Sequence, residues 1–79
     1  MDTKEKIYEI LADLRPEYDF KKSEDFIEDG FLDSFDVVTL VSELEDAFDV
    51  VIDGLEIIPE NFVSVEKIIE TINRNGGNV

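Results

Sequence analysis

Residues 28–48, EDGFLDSFDVVTLVSELEDAF, decide how this chain folds and what it does. An Asp33-Ser34 pair stands between an apolar Phe-Leu pair and a run in which apolar residues recur every three or four positions. That period predicts an amphipathic helix. Serine is a favoured helix N-cap, so the spacing predicts that Ser34 begins the helix as its cap. The alternative is that Ser34 displays a reactive hydroxyl at the helix end.

Two further helices are predicted on either side of this one. The first spans residues 2–15, where Asp2 can cap the start and Pro16 forces the preceding residue out of the helical region. The last begins after Ser64, which can cap it. Helical spacing predicts that the three helices bury the following apolar residues: Ile7, Ile10, Leu11, Leu14, Val37, Leu40, Val41, Leu44, Ala47, Phe48, Val65, Ile68, Ile69 and Ile72.

The segments that connect the predicted helices differ in length and character. Residues 16–33 form a long loop, but its aromatic residues need a core to cover, so it is not a loose linker. A short helical turn is expected after Ser23, and a backbone turn at Gly30. Residues 50–52 are predicted to be extended, and residues 55–62 hold at most a short helix because Pro59 interrupts them. The fold class is therefore a small all-α bundle of three to four helices, with one domain at residues 1–74 and a flexible tail at 75–79.

The composition excludes several classes of function. The 79 residues include 21 acidic and 7 basic side chains, for a net charge of −14, and neither histidine nor cysteine. The negative charge argues against binding nucleic acid or anionic membranes. Without histidine or cysteine the usual general base, thiolate and zinc ligands are missing, so we expect neither an enzyme nor a metal protein. A charged N-terminus and the lack of a long apolar run favour a cytoplasmic protein without membrane insertion.

The acidic charge is concentrated in the middle of the chain. No lysine or arginine occurs between Ser23 and Glu66. A surface of one sign attracts basic partners and speeds their docking. We expect the acidic residues Asp36, Glu43, Glu45 and Asp46, with apolar Phe35 and Val38, to form a partner-binding face. An ordinary solvated helix face, with the apolar residues in the core, would show the same pattern.

Two stretches carry a resemblance to a known family. Residues 30–40, G-F-L-D-S-F-D-V-V-T-L, and residues 59–68, P-E-N-F-V-S-V-E-K-I, resemble the acyl carrier proteins and peptidyl carrier domains. The resemblance extends over nearly the whole chain and implies an acyl-carrier-like helical bundle. It also implies that Ser34 carries a covalent 4′-phosphopantetheine taken from coenzyme A by a phosphopantetheinyl transferase, with Asp33 beside it. Acyl or aminoacyl cargo would ride on the thiol of that arm as a thioester.

The same resemblance implies a monomeric shuttle for fatty acid, polyketide or nonribosomal peptide biosynthesis. Its partners would be adenylating or acyl-transferring enzymes with basic docking patches. Carriers for fatty acid synthesis usually read D-S-L-D-x-V-E-L, whereas this chain has Phe35 and Thr39 in place of the leucine and the glutamate. The D-S-F sequence is more similar to D-alanyl carrier proteins and other stand-alone carriers. Those carriers, however, commonly have glycine where this chain has Asp36, and they lack PENF. The cargo therefore stays open between an amino acid and an acyl group.

Two other functions fit parts of the sequence. Residues 25–36 resemble a calcium loop in length, in the four aspartates Asp25, Asp29, Asp33 and Asp36, and in Gly30 at the sixth position. However, Ile27 stands where a ligand is needed, and Asp36 stands where a longer glutamate is usual. An acidic helical adaptor that never accepts the arm would have the same composition.

Overall fold

Three α-helices and three short 3₁₀ turns make up the computed structural model, which describes residues 2–79. The helices are α1, Thr3–Leu14; α2, Ser34–Phe48; and α3, Val65–Arg74. The 3₁₀ turns span Phe20–Lys22, Gly54–Glu56 and Pro59–Phe62. No strand occurs among the described residues, and residues 50–53 have no regular secondary structure. The predicted all-α class and the three helices are confirmed.

The outer helices begin and end as their sequences predict. The Asp2 carboxylate caps α1 by accepting a hydrogen bond from the Glu5 amide at 2.9 Å. Helix α1 ends at Leu14, with Arg15 already outside helical geometry in front of Pro16. The Ser64 hydroxyl caps α3 by accepting from the Lys67 amide at 3.2 Å.

Helix α2 begins at Ser34, as predicted, but a different residue caps it. Its N-cap is Asp33, whose backbone is extended, and Ser34 is the first helical residue. The prediction that the Ser34 hydroxyl caps the helix was therefore wrong. The reason is that Asp33 is also a strong capping residue and has an acidic residue, Asp36, three positions later to complete a reciprocal capping box.

A single core lies between the three helices. Among the helices α2 contributes the most buried apolar residues, and the connecting segments contribute several more. The buried apolar residues are Ile7, Leu11, Phe20, Phe26, Leu32, Val37, Leu40, Val41, Leu44, Ile52, Phe62, Val65, Ile68 and Ile72. The predicted inward residues Ile10, Leu14, Ala47, Phe48 and Ile69 are half-buried at its edge. Helical spacing thus located the core in all three helices.

The long loop is held in place by an aromatic cluster. The ring of Tyr18 stacks on that of Phe31 at 4.4 Å, and Phe20 meets the edges of Phe26 and Phe31 at 5.0 and 5.4 Å. Gly30 turns the chain with a positive φ of 76°, as predicted. The helical turn expected after Ser23 is present as a turn at residues 26–30, not as a helix. Because the loop packs on the core, the residues that enter α2 have a fixed position.

The other end of the bundle is tied by side chains. The Asn75 side chain accepts from the Asp53 amide at 2.8 Å and donates to the Thr71 carbonyl at 2.7 Å. Gly77 donates to the Ile72 carbonyl at 2.9 Å. The domain boundary at residue 74 and the flexibility of 75–79 stay predictions. None of the helices in residues 2–79 has the length and the apolarity needed to cross a bilayer.

Candidate functional site

The first turn of α2 is locked by two reciprocal hydrogen bonds. The Asp33 carboxylate accepts from the Asp36 amide at 2.9 Å, and the Asp36 carboxylate accepts from the Asp33 amide at 3.1 Å. The Val37 amide donates to the Asp33 carbonyl at 3.0 Å. These bonds fix the backbone on both sides of Ser34 without using its side chain.

The side chain of Ser34 itself is exposed to solvent. Within residues 2–79 its hydroxyl makes no hydrogen bond, and the amides of Ser34 and Phe35 have no acceptor either. The first amides of a helix carry partial positive charge and bind anions such as phosphate groups. The end of α2 therefore presents a free hydroxyl next to two free donors.

Asp36 does not lie on the exposed face, in contrast to the prediction for it. Only 8% of it is exposed, and its carboxylate accepts from the Arg15 guanidinium at 2.9 and 3.1 Å. Burial acts to raise the pKa of the Asp36 carboxyl, but the hydrogen bonds from Arg15 and Asp33 outweigh it and leave that pKa below its usual value. A buried carboxylate that already has an arginine partner is not free to bind a second protein.

A shallow groove opens directly beside Ser34. It has a volume of about 230 Å³ and is lined by Ser34, Val37, Val38, Ile57 and Pro59. Its walls come from α2, from Ile57 and from Pro59 at the start of the third 3₁₀ turn, so it exists only in the folded bundle. The sequence alone did not identify Ile57 and Pro59 as site residues. They come together with the start of α2 only through tertiary packing, because they lie about 20 positions further along the chain.

Four residues spread along α2 are exposed to solvent. Phe35 is 85% exposed and Val38 is 63% exposed, so neither belongs to the core. Glu43 and Asp46 are exposed on the same helix, and neither has an ion-pair partner among residues 2–79. These four residues form what is called here the docking stripe.

Glu45, by contrast, has a structural contact. It is half-buried, and its carboxylate accepts from the Ile52 amide at 2.9 Å, which joins α2 to the segment that follows it. We therefore leave Glu45 out of the docking stripe.

The four aspartates of the calcium-loop alternative make separate contacts and do not converge on one point. Asp25 accepts from the amides of residues 27 and 28, and Asp29 accepts from the Ser23 hydroxyl. Asp33 caps α2, and Asp36 pairs with Arg15. No group of three or more potential metal ligands is assembled within residues 2–79. The loop has the length of a calcium site without its convergent geometry.

Comparison with known proteins decides the family. The profile of the family described as PP-binding, the phosphopantetheine attachment site, matches residues 5–72, most of the chain. The chain belongs to this family of acyl and peptidyl carrier proteins. Carrier domains of this family hold a covalent 4′-phosphopantetheine, are modified by phosphopantetheinyl transferases, and interact with biosynthetic enzymes. They are typically carriers and not catalysts.

The residues of this carrier fit that prosthetic group. Its attachment needs an accessible hydroxyl, and its phosphodiester is an anion that benefits from unpaired amide donors. The start of α2 supplies both in Ser34 and in the adjacent amide of Phe35. The groove beside Ser34 offers the apolar side chains of Val37, Val38 and Ile57 to the uncharged part of such an arm.

Proposed function

We propose that Ser34 is the attachment residue, and that the chain carries acyl or aminoacyl cargo between enzymes. The observation that carries this proposal is the exposed Ser34 hydroxyl, free of hydrogen bonds, at the first position of a helix whose capping is done by Asp33. Serine is not needed there for stability, so its presence is better explained by its chemistry.

Each neighbour of Ser34 has a distinct part in this function. Asp33 and Asp36 hold the first turn, so that the Ser34 oxygen is presented to the transferase at a fixed place. The amides of Ser34 and Phe35 are placed to donate to the phosphodiester oxygens. When bound, the arm supplies the thiol on which cargo is held as a thioester. The chain itself positions this thiol and leaves the bond-making steps to its partners.

The docking stripe is the surface that those partners would recognise. Glu43 and Asp46 offer unpaired carboxylates to basic residues, and Phe35 and Val38 offer apolar contact close to Ser34. A carrier must release each enzyme after visiting it, and exposed charge pairs speed association without making the complex long-lived. Enzymes that activate or transfer acyl groups and that present a basic patch fit this surface.

Intact-mass spectrometry tests the proposal. The purified chain is incubated with coenzyme A, magnesium and a broad-specificity phosphopantetheinyl transferase, beside Ser34→Ala and Ser42→Ala. Ser42 is a matched control because it is an exposed serine on the same helix. We expect one phosphopantetheine on the parent and on Ser42→Ala, and none on Ser34→Ala. An unmodified parent, with a known carrier modified in the same assay, would support the unmodified adaptor instead.

A further inference from the structure

Asp36 is the only buried charged side chain in the described part of the protein. It belongs to a cluster that joins the end of α1 to the start of α2. One oxygen of Asp36, Oδ2, accepts three hydrogen bonds: from Arg15 Nε at 3.1 Å, from Arg15 Nη2 at 2.9 Å, and from the Asp33 amide at 3.1 Å. Arg15 Nη2 also lies 3.9 Å from the Asp33 carboxylate. Arginine therefore bridges both acidic residues that flank Ser34.

The chain is built so that Arg15 can reach this point. Pro16 ends α1, and Arg15 leaves helical geometry while its amide still donates to the Leu11 carbonyl. Its side chain then crosses to α2, 21 positions along the chain, and is still half-buried there. A lysine could not make the same contact, because a single ammonium nitrogen replaces the two guanidinium nitrogens that contact Oδ2.

Charge gives this contact a second consequence. Asp33 and Asp36 flank Ser34 with two negative charges in a protein of net charge −14, and every ion pair of these two residues within residues 2–79 is with Arg15. Coenzyme A is itself anionic. A cation held against both carboxylates lowers the repulsion that an anionic substrate meets at Ser34.

We propose that Arg15 is a positioning residue for the modification of Ser34: by clamping Asp36 it fixes the first turn of α2 and offsets the charge around the hydroxyl. The proposal rests on the function of Ser34 proposed above. It predicts that loss of Arg15 slows the transfer step more than it weakens docking, since the docking stripe lies on α2 and contains no part of this cluster.

The test compares Arg15→Gln with Arg74→Gln and Arg15→Lys. Arg74 is a matched control, because its guanidinium also pairs with a carboxylate, that of Glu56 at 2.6 Å, but between α3 and a different loop. Two readouts are taken at a temperature where circular dichroism shows each variant folded. One is the kcat and KM of modification by the transferase with coenzyme A. The other is hydrogen exchange of the Asp33 amide, which donates to Asp36.

For Arg15→Gln we expect kcat to fall about tenfold with KM changed less than about twofold, as for a misplaced reacting group. We also expect faster exchange of the Asp33 amide. Arg74→Gln should change neither kcat nor the exchange rate of the Asp33 amide. Arg15→Lys should show intermediate values of both, between those of Arg74→Gln and Arg15→Gln. If Arg15→Gln does not fold, Arg15→Lys alone decides by the same two readouts.

Unchanged kcat or unchanged Asp33 exchange in the Arg15 variants, with a parent that is modified normally, would overturn the role of Arg15 alone. A parent that takes no arm would overturn the proposed function, and the role of Arg15 with it.

Discussion

The Asp33 carboxylate lies 2.9 Å from the Asp36 amide and caps α2, while Ser34 between them makes no side-chain hydrogen bond. The residue that stabilises the helix and the residue that is available for chemistry are thus neighbours with separate roles. This separation has consequences that can be measured.

The first prediction concerns stability. Asp33→Ala removes the cap and should lower the free energy of unfolding by about 1 kcal/mol, the usual effect of losing a capping side chain. Ser34→Ala removes only an exposed hydroxyl and should change it by less than about 0.5 kcal/mol. Urea unfolding followed by circular dichroism measures both. Equal losses in the two variants would mean that Ser34 contributes to the cap after all.

The second prediction concerns the apolar part of the docking stripe. Phe35→Ala should leave the free energy of unfolding nearly unchanged, because the side chain is 85% exposed. Its kcat/KM for modification should fall by about tenfold, equal to about 1.4 kcal/mol, as expected when an aromatic contact is lost from an interface. Steady-state kinetics with the transferase measures the effect.

Val51→Ala is the control for Phe35→Ala. Val51 is 80% exposed and follows the other end of α2, about 22 Å away for a helix of this length. Modification of this variant should match the parent. If both variants were slowed alike, general surface apolarity and not a stripe beside Ser34 would be responsible.

The third prediction concerns charge. Replacing Glu43 and Asp46 by glutamine should lower kcat/KM for a partner enzyme with a basic patch, and should flatten its dependence on salt. The loss should be severalfold at low ionic strength and small near 1 M salt, where the Debye length is about 3 Å. A double variant of Glu9 and Glu28, both exposed and outside α2, removes the same charge and should behave like the parent. Identical kinetics of the two double variants would argue against a defined acidic docking site.

The fourth prediction concerns pH. Despite burial, which acts to raise it, the pKa of Asp36 lies below its ordinary value of 3.8 because Arg15 and Asp33 donate to the carboxylate. The folded chain therefore binds this proton more weakly than the unfolded chain. The stabilisation is present above pH 3.8 and is lost as the pH falls through the lower, folded pKa.

Acid also protonates the many other carboxylates and so relieves their mutual repulsion. The parent is therefore compared with Arg15→Gln at each pH, because this effect is common to both proteins. The difference in Tm between the parent and Arg15→Gln should shrink as the pH falls from about 6 to about 2, because protonation of Asp36 removes the ion pair that the variant already lacks. Thermal unfolding followed by circular dichroism across this range measures it. A difference that stayed constant to the lowest pH would show that Arg15 does not stabilise the fold through ionised Asp36.

Much of the fold follows from local patterns in the sequence. The helices, their ends at Asp2, Pro16 and Ser64, and the turn at Gly30 each depend on residues within a few positions of one another. Such local effects can be read without knowing the tertiary structure.

The start of α2 at Ser34 was predicted correctly, but its cap was misassigned because two capping residues stand side by side. The signal that separates them was present in the sequence: Asp36 lies three positions after Asp33, at the spacing of a capping box, whereas Val37 lies three positions after Ser34. The acidic residue at that spacing decides in favour of Asp33.

The positions of Asp36 and Glu45 had no such local signal. Asp36 is buried because Arg15, 21 positions earlier, pairs with it, and Glu45 is engaged because the chain after α2 folds back to present the Ile52 amide. The groove beside Ser34 likewise needs Ile57 from another segment. These contacts arise from tertiary packing, and the helical period that predicted α2 does not encode them.

The most direct test of the central claim is to locate the modification on the modified chain. Tandem mass spectrometry of the peptide that contains Ser34 and Ser42 distinguishes the two serines by the mass of each fragment. We expect phosphopantetheine on Ser34 alone, with Ser23, Ser42 and Ser64 unmodified. Phosphopantetheine on another residue, or a parent chain that takes none under conditions that modify a known carrier, would contradict that claim.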